Sequence, residues 1–177
     1  MTKALKAIRL ALFARRNGVV ADALRAAGDP HELIMGCPLS DIIAVAREHV
    51  PSTELAEALW ADTKHRECRL LAPMLYPIET CDETTALRWC HEVQTEEEAD
   101  VLCHRLLRQL DCAVAVMETL LNESNPMLRY TAFRLMLNLE MLNRFELNDA
   151  RRQLIRQETD LSHSTSILQL LNCLLED

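Results

Sequence analysis

Apolar residues recur at the spacing of an α-helix along almost the whole chain, and this periodicity constrains the fold more than any other feature. Helix-start signals such as Asn125-Pro126 and stop signals such as Gly28-Asp29-Pro30 punctuate the pattern. Only three glycines and six prolines occur among 177 residues, which leaves little of the turn chemistry that an all-β fold needs. The sequence therefore predicts an all-α protein.

The punctuation predicts about ten or eleven short helices, joined by loops of roughly two to six residues. Helix pairs recur about every 40 residues, a period typical of HEAT-like repeats. We therefore predict an α-α superhelix of HEAT-like antiparallel helix pairs that forms a single domain over residues 1–177. A compact irregular bundle fits the composition equally well.

Several helix boundaries depend on single residues. Gly18 is expected to end the first helix in the left-handed conformation, and Asp111 to cap a helix over 112–122. Thr95 opens a capping box whose helix is expected to run to about Leu110. Ser162 is expected to start the last helix.

The charge distribution is uneven. The formal net charge is -8, yet the first 25 residues carry six cations against the single acid Asp22. A hydrophobic share of 49% excludes a disordered chain, and no apolar run approaches the ~20 residues of a membrane span. Because we find no cleaved signal either, we expect a cytoplasmic protein with no membrane partner.

The cysteines and histidines indicate no metal and no cofactor. Seven cysteines, an odd number at loose spacing, argue against a disulfide framework and for a reducing compartment. Cys90-His91 and Cys103-His104 are adjacent pairs, whose side chains point about 100° apart on a helix. We interpret the thiols as small buried side chains. A metal site and a Cys/His nucleophile pair are the alternatives.

Three segments in order carry a family resemblance. They are residues 36–46 (GCPLSDIIAVA), 54–60 (ELAEALW) and 66–72 (RECRLLA). This order resembles the DNA alkylation-repair family of HEAT-like repeat glycosylases, and the match extends more loosely through Trp89 and the segment 127–129. The turn after Trp60 is one residue longer than the family pattern, and Pro73 replaces a small helix former.

The resemblance implies an α-solenoid whose concave basic face holds duplex DNA. It also implies excision of purines alkylated at N3 or N7, with aromatic rings and a carboxylate that stabilises the positive charge as the bond breaks. Trp89 stands at the family's first tryptophan and Arg129 at its phosphate-binding arginine. The strict position of the catalytic aspartate holds Val93 or Gln94.

Glu92 is the nearest substitute for that carboxylate, and the family's second tryptophan is missing. The candidate catalytic residue is therefore Glu92. The candidate DNA-binding residues are Trp89, Arg88, Arg129, Arg15 and Arg16.

Each candidate also has a structural interpretation. Trp60 lies on an apolar stripe and is expected in the core, and Trp89 is either core or site. Glu67 and Arg69 are expected to form a structural ion pair, and the arginines generally to pair with glutamates on solvated helix faces.

Three functions stay open at this stage. The first is a catalytically degenerate scaffold that binds DNA or a protein partner. The second is an active DNA glycosylase that uses Glu92. The third is a protein- or peptide-binding module without any link to nucleic acid.

Overall fold

The computed structural model describes residues 3–161 and 165–175, and the side chains of 160 and 161 are outside this description. Within those ranges the protein is all-α, with eleven α-helices, two 3₁₀ helices and no strand. The predicted fold class is therefore confirmed. The chain divides into two compact units, Met1–Cys81 and Asp82–Asp177. The single domain over 1–177 stays a prediction.

Unit 1 contains five α-helices and one 3₁₀ helix. They are α1 (Lys3–Ala14), α2 (Gly18–Ala26), α3 (Leu39–Arg47), α4 (Thr53–Trp60), α5 (Arg66–Leu75) and the 3₁₀ helix Ile78–Thr80. Helix α5 packs against α3 and α4, and α1 packs against α3 and α4. The side chain of Ser52 caps α4 by accepting a 3.4 Å hydrogen bond from the Leu55 N–H.

Unit 2 contains six α-helices and one 3₁₀ helix. They are α6 (Glu83–His91), α7 (Glu96–Arg105), the 3₁₀ helix Leu107–Gln109, α8 (Ala113–Leu121), α9 (Pro126–Met141), α10 (Asp149–Leu161) and α11 (Thr165–Leu175). The long helix α9 packs against α7, α8 and α11. Asn125 caps α9 by accepting a 2.8 Å hydrogen bond from the Met127 N–H, with Pro126 as first helical residue.

Two predicted boundaries are wrong. Gly18 does not end α1 but begins α2, because the Asn17 side chain accepts hydrogen bonds from the N–H groups of Val19 and Val20. Asp111 is not a cap: α8 starts one residue later than expected, so Cys112 occupies the cap position without a side-chain hydrogen bond.

The capping box is confirmed, but its helix is shorter than expected. The Thr95 hydroxyl accepts a 3.1 Å hydrogen bond from the Glu98 N–H, and the Glu98 carboxylate accepts one of 2.9 Å from Gln94 N–H. Helix α7 ends at Arg105, because the backbone leaves the helical region at Leu106 (φ -123°, ψ -67°) and tightens into a 3₁₀ turn. The predicted start at Ser162 lies outside the described residues.

No helix in the described part of the chain has the length and apolar character that a bilayer crossing requires.

Candidate nucleic-acid interface

Each unit buries one tryptophan. Trp60, at the end of α4, is 1% exposed, and Trp89, on α6, is 0% exposed. The core interpretation of Trp60 is thus confirmed. The ring of Trp89 is enclosed by the core of unit 2 and has no surface for a base to stack on. Its DNA contact stays a prediction, and one that would require this core to open.

Glu92, the candidate carboxylate, pairs with the candidate cation Arg88. Their side chains are four residues apart, 3.4 Å from each other and well exposed. Glu92 follows the last residue of α6, where its N–H donates to the carbonyls of Arg88 and Trp89. The structure therefore brings these two residues together as a surface pair, an arrangement worth ~1 kcal/mol or less.

Arg129 joins three helices of unit 2. Its Nε donates to Glu158 on α10 at 3.0 Å, and its Nη2 donates to the second carboxylate oxygen. Its Nη1 donates to the Leu121 carbonyl at the end of α8 at 2.8 Å. The hydrogen bond with Glu158 raises the pKa of Arg129. A phosphate at this guanidinium would have to compete with an existing bidentate carboxylate.

Arg15 and Arg16 lie at the end of α1 in unit 1. Arg15 donates to Glu48 at 3.0 Å and to the Ala11 carbonyl at 3.0 Å. Arg16 lies with its guanidinium carbon 4.1 Å from the centre of the Phe13 ring, and no carboxylate within the described residues is within 4.0 Å of it. Of the predicted arginines, Arg16 is thus the one without an acidic partner in the described structure.

Asp100 is a partly buried carboxylate that the sequence analysis did not single out. It accepts a 2.8 Å hydrogen bond from the Tyr130 hydroxyl and lies 3.1 Å from Arg134 Nε. Burial raises the pKa of Asp100. Burial also raises the pKa of Tyr130, and the neighbouring charge of Asp100 raises it further. This acid connects α7 to α9.

A cluster of cations surrounds the end of α7 next to Asp100. We call His104, Arg105, Arg108 and Arg134 the α7 cationic cluster. Burial, followed by the charges of Arg108, Arg105 and Arg134, lowers the pKa of His104. Burial and the charge of Arg105 lower the pKa of Arg108. Arg105 is the last residue of α7, and Arg108 lies in the 3₁₀ helix that follows it.

The α7 cationic cluster is only partly neutralised. Arg134 faces Asp100, whereas Arg105 and Arg108 have no carboxylate within 4.0 Å in the described part of the chain. Arg144 adds a further cation, since its guanidinium donates to the backbone carbonyls of Arg108 and Leu110. The sequence offered no local signal for this cluster, because the absence of an acidic partner is decided by tertiary packing.

Glu67, which carries part of the family resemblance, is a structural residue. Its carboxylate is 0% exposed and accepts hydrogen bonds from the N–H groups of Gly36 at 2.8 Å and Met35 at 3.1 Å. Arg66 Nη1 donates to it at 2.9 Å. The carboxylate therefore fixes the segment before α3 onto the start of α5.

Arg69 has a structural role at the other side of α5. Its guanidinium carbon lies 3.5 Å from the centre of the Trp60 ring, and its Nη1 donates to the Trp60 carbonyl at 2.6 Å. Glu67 and Arg69 are thus both buried, and their contacts are structural. The ion pair between the two stays a prediction.

The described residues offer no metal centre. In 3–161 and 165–175, no group of three His, Cys, Asp or Glu side chains is arranged to hold an ion. Five of the seven cysteines are buried, in agreement with the interpretation of the thiols as small core side chains.

The comparisons with known proteins agree with this fold. The family model described as "DNA alkylation repair enzyme" matches residues 8–171, and the chain belongs to that family. No curated protein matches the sequence significantly.

One solved structure belongs to "a new family of proteins related to the HEAT-like repeat DNA glycosylases with affinity for branched DNA structures". It superposes with a TM-score of 0.77 at 15% identity, over 96% of this chain and 73% of that one. At this identity the similarity shows the fold, which is the HEAT-like helical repeat predicted from the sequence.

Proposed function

We propose that this protein binds DNA, with branched DNA as the preferred form, through the α7 cationic cluster, and that it does not excise bases. The observation that carries the proposal is that Arg105 and Arg108, three residues apart at and just after the end of α7, have no carboxylate partner in the described residues. Membership of a DNA repair family supports DNA as the ligand. The affinity of the similar solved protein for branched DNA supports the preferred form.

The cluster provides what a phosphate contact needs despite the acidic chain. Neighbouring guanidinium groups repel one another. Burial, and then the charges of Arg108, Arg105 and Arg134, disfavour the imidazolium form of His104 and lower its pKa. A phosphate placed among them removes the repulsion and releases condensed counterions from the DNA. The planar fork of arginine also matches two phosphate oxygens at once.

The absence of base excision is supported by the candidate carboxylates. The family's aspartate position holds Val93 or Gln94. Glu92 is bound to Arg88 on the surface of unit 2, and Asp100 is committed to Tyr130 and Arg134. None of the three arrangements presents a free ionised carboxylate to a bound nucleotide.

The binding test compares a four-way junction with a linear duplex of equal length by fluorescence anisotropy over a series of salt concentrations. We expect tighter binding of the junction and a steep loss of affinity with salt. The double variant R105A/R108A should reduce the slope of log affinity against log salt by about 2, since each lost phosphate contact contributes about 0.9.

The double variant R47A/K64A is the matched control. It removes the same charge, but neither residue belongs to the α7 cationic cluster, and Lys64 is paired with Glu32 at 2.8 Å. We expect its salt slope to equal that of the wild type. An equal loss in both double variants would attribute binding to net charge and overturn the proposal. DNA binding without salt dependence would also overturn it, because phosphate contacts by arginine release counterions.

The catalytic part of the proposal needs a second assay. Duplex DNA alkylated at N3 and N7 of purines is incubated with the protein, and free base is measured by chromatography. We expect release at the spontaneous rate. Release well above that rate, abolished in Glu92→Gln with DNA affinity retained, would establish the active glycosylase instead.

A further inference from the structure

The exposed face of α1 in unit 1 is cationic along one part and apolar along the next. Lys3, Lys6, Leu10 and Phe13 are spaced three, four and three residues apart and lie on one side of the helix. All four are exposed, Leu10 by 61% and Phe13 by 52%. The chain has no acidic residue before Asp22, so no acid on this helix neutralises the lysines.

This face leads to a cleft of 710 Å³ within unit 1. Phe13 and Arg16 line the cleft on one side, and Leu33 and Met35 line it with apolar side chains. Arg25 also lines it, held by Asp22 at 3.0 Å and by the Ile34 carbonyl at 3.0 Å. The cleft thus combines an exposed aromatic ring, an apolar wall and guanidinium groups.

Arg16 makes the aromatic ring a composite platform. Its guanidinium covers Phe13 at 4.1 Å and donates to the Phe13 carbonyl at 3.1 Å. Single-strand recognition has two components: cations that hold phosphates and an aromatic ring that stacks with a base. This side of the helix and the ring beside it provide both.

We propose that this α1 face, defined by Lys3, Lys6, Leu10, Phe13 and Arg16, binds an unpaired nucleic-acid strand whose base enters the cleft beside Phe13. The inference extends the proposed DNA binding and depends on it, but it uses residues of unit 1 alone. A fork or a flap in DNA exposes such a strand, so this site would add to the preference for branched DNA.

The length of the face sets the size of the strand. From Lys3 to Phe13 the helix rises by about 15 Å at 1.5 Å per residue. In B-form DNA each nucleotide of one strand advances about 3.4 Å along the helix axis, and an unpaired, extended strand advances further per nucleotide. The face therefore spans at most about four nucleotides, and a short oligonucleotide is long enough to occupy it.

The test measures the anisotropy of a labelled oligothymidylate of about eight nucleotides with the full chain at low salt. Phe13→Ala should weaken binding by about tenfold, the effect of losing one stacked base. Lys6→Ala should weaken binding and reduce its salt dependence. Both residues are exposed, so neither variant is expected to alter the fold.

Two variants in unit 1 serve as matched controls. Val50→Ala removes an exposed apolar side chain outside the α1 face, and Arg47→Ala removes an exposed cation from α3. Both should bind the oligonucleotide as the wild type does. Linear duplex affinity should be unchanged in Phe13→Ala and reduced in R105A/R108A, which separates failure of this site from failure of the proposed function.

Two results would overturn the inference. The first is equal oligonucleotide affinity for Phe13→Ala and Val50→Ala. The second is binding of a helical peptide rich in Glu and Leu, with no affinity for the oligonucleotide, which would assign the α1 face to an acidic protein partner.

Discussion

Replacing Glu67 by alanine should lower the free energy of unfolding of unit 1 far more than any surface substitution would. The carboxylate is completely buried and accepts hydrogen bonds from three consecutive N–H groups, those of Met35, Gly36 and Cys37, as well as from Arg66. Its removal leaves these donors buried without an acceptor. Breaking a buried ion pair in this way costs about 3–5 kcal/mol, against a total stability of about 5–15 kcal/mol.

The geometry around Gly36 prevents an easy repair. Gly36 has a φ of +73°, and a Cβ there would lie 2.2 Å from the Asn17 carbonyl oxygen and 2.6 Å from Ala21 N. The segment is therefore pressed against the start of α2, where the Asn17 N–H also donates to the Met35 carbonyl at 2.8 Å. This backbone therefore has no room to shift toward another acceptor. Because Glu67→Gln keeps one acceptor oxygen, we expect it to recover about half of the stability lost in Glu67→Ala.

Urea denaturation followed by tryptophan fluorescence measures the effect in each unit. The chain has two tryptophans, Trp60 in unit 1 and Trp89 in unit 2, so a Trp89→Phe background reports on unit 1 alone. With a slope of about 2 kcal/mol/M, Glu67→Ala should lower the midpoint by about 2 M. The exposed Glu54→Ala is the control, with a shift of ~0.5 M or less. A shift of that small size for Glu67→Ala would refute the reasoning.

Three further predictions follow from the same structure. Arg69→Met keeps the apolar stem but loses the contacts with the Trp60 ring and carbonyl, so it should cost about 2 kcal/mol of stability and change the Trp60 emission spectrum. Junction affinity at constant ionic strength should rise as pH falls from about 8 to 5, because a nearby phosphate raises the low pKa of His104 and binding then takes up a proton. The raised pKa of Asp100 acts in the same direction, and His104→Ala should flatten the profile. A thiol reagent should modify the exposed Cys173 first in the native protein, because burial raises the pKa of Cys37 to about 11 and that of Cys68 to about 12. Mass spectrometry of the labelled peptides would check the order.

The helices could be predicted because their signals are local. Asn125 before Pro126 and Thr95 before three glutamates satisfy their own helix ends within a few residues, so the sequence pattern suffices. The boundary predicted at Gly18 was wrong because two local signals compete at the same place. A glycine tolerates a helix stop, but Asn17 offers a side-chain acceptor to the following N–H groups, and the start signal prevails.

The candidate site could be predicted only in part, because the pairing of a cation is decided by tertiary packing. Arg129 meets Glu158, which is 29 residues away, and Arg15 meets Glu48, which is 33 residues away. No local pattern separates these arginines from Arg105, which has no acidic partner among the described residues. Composition therefore indicates that most arginines are paired, but it does not indicate which one is left for a phosphate.

Three of the residues that carry the family resemblance are core residues. Trp60, Glu67 and Arg69 lie in the core of unit 1, where they join α4, α5 and the segment before α3. Their substitution would cost stability, so these residues mark the fold rather than an activity. Val93 or Gln94 stands where the resemblance places the catalytic aspartate, after the end of α6, and neither side chain is buried. The matching segments therefore establish the family, while activity has to be argued from the surface side chains, since a fold does not determine function.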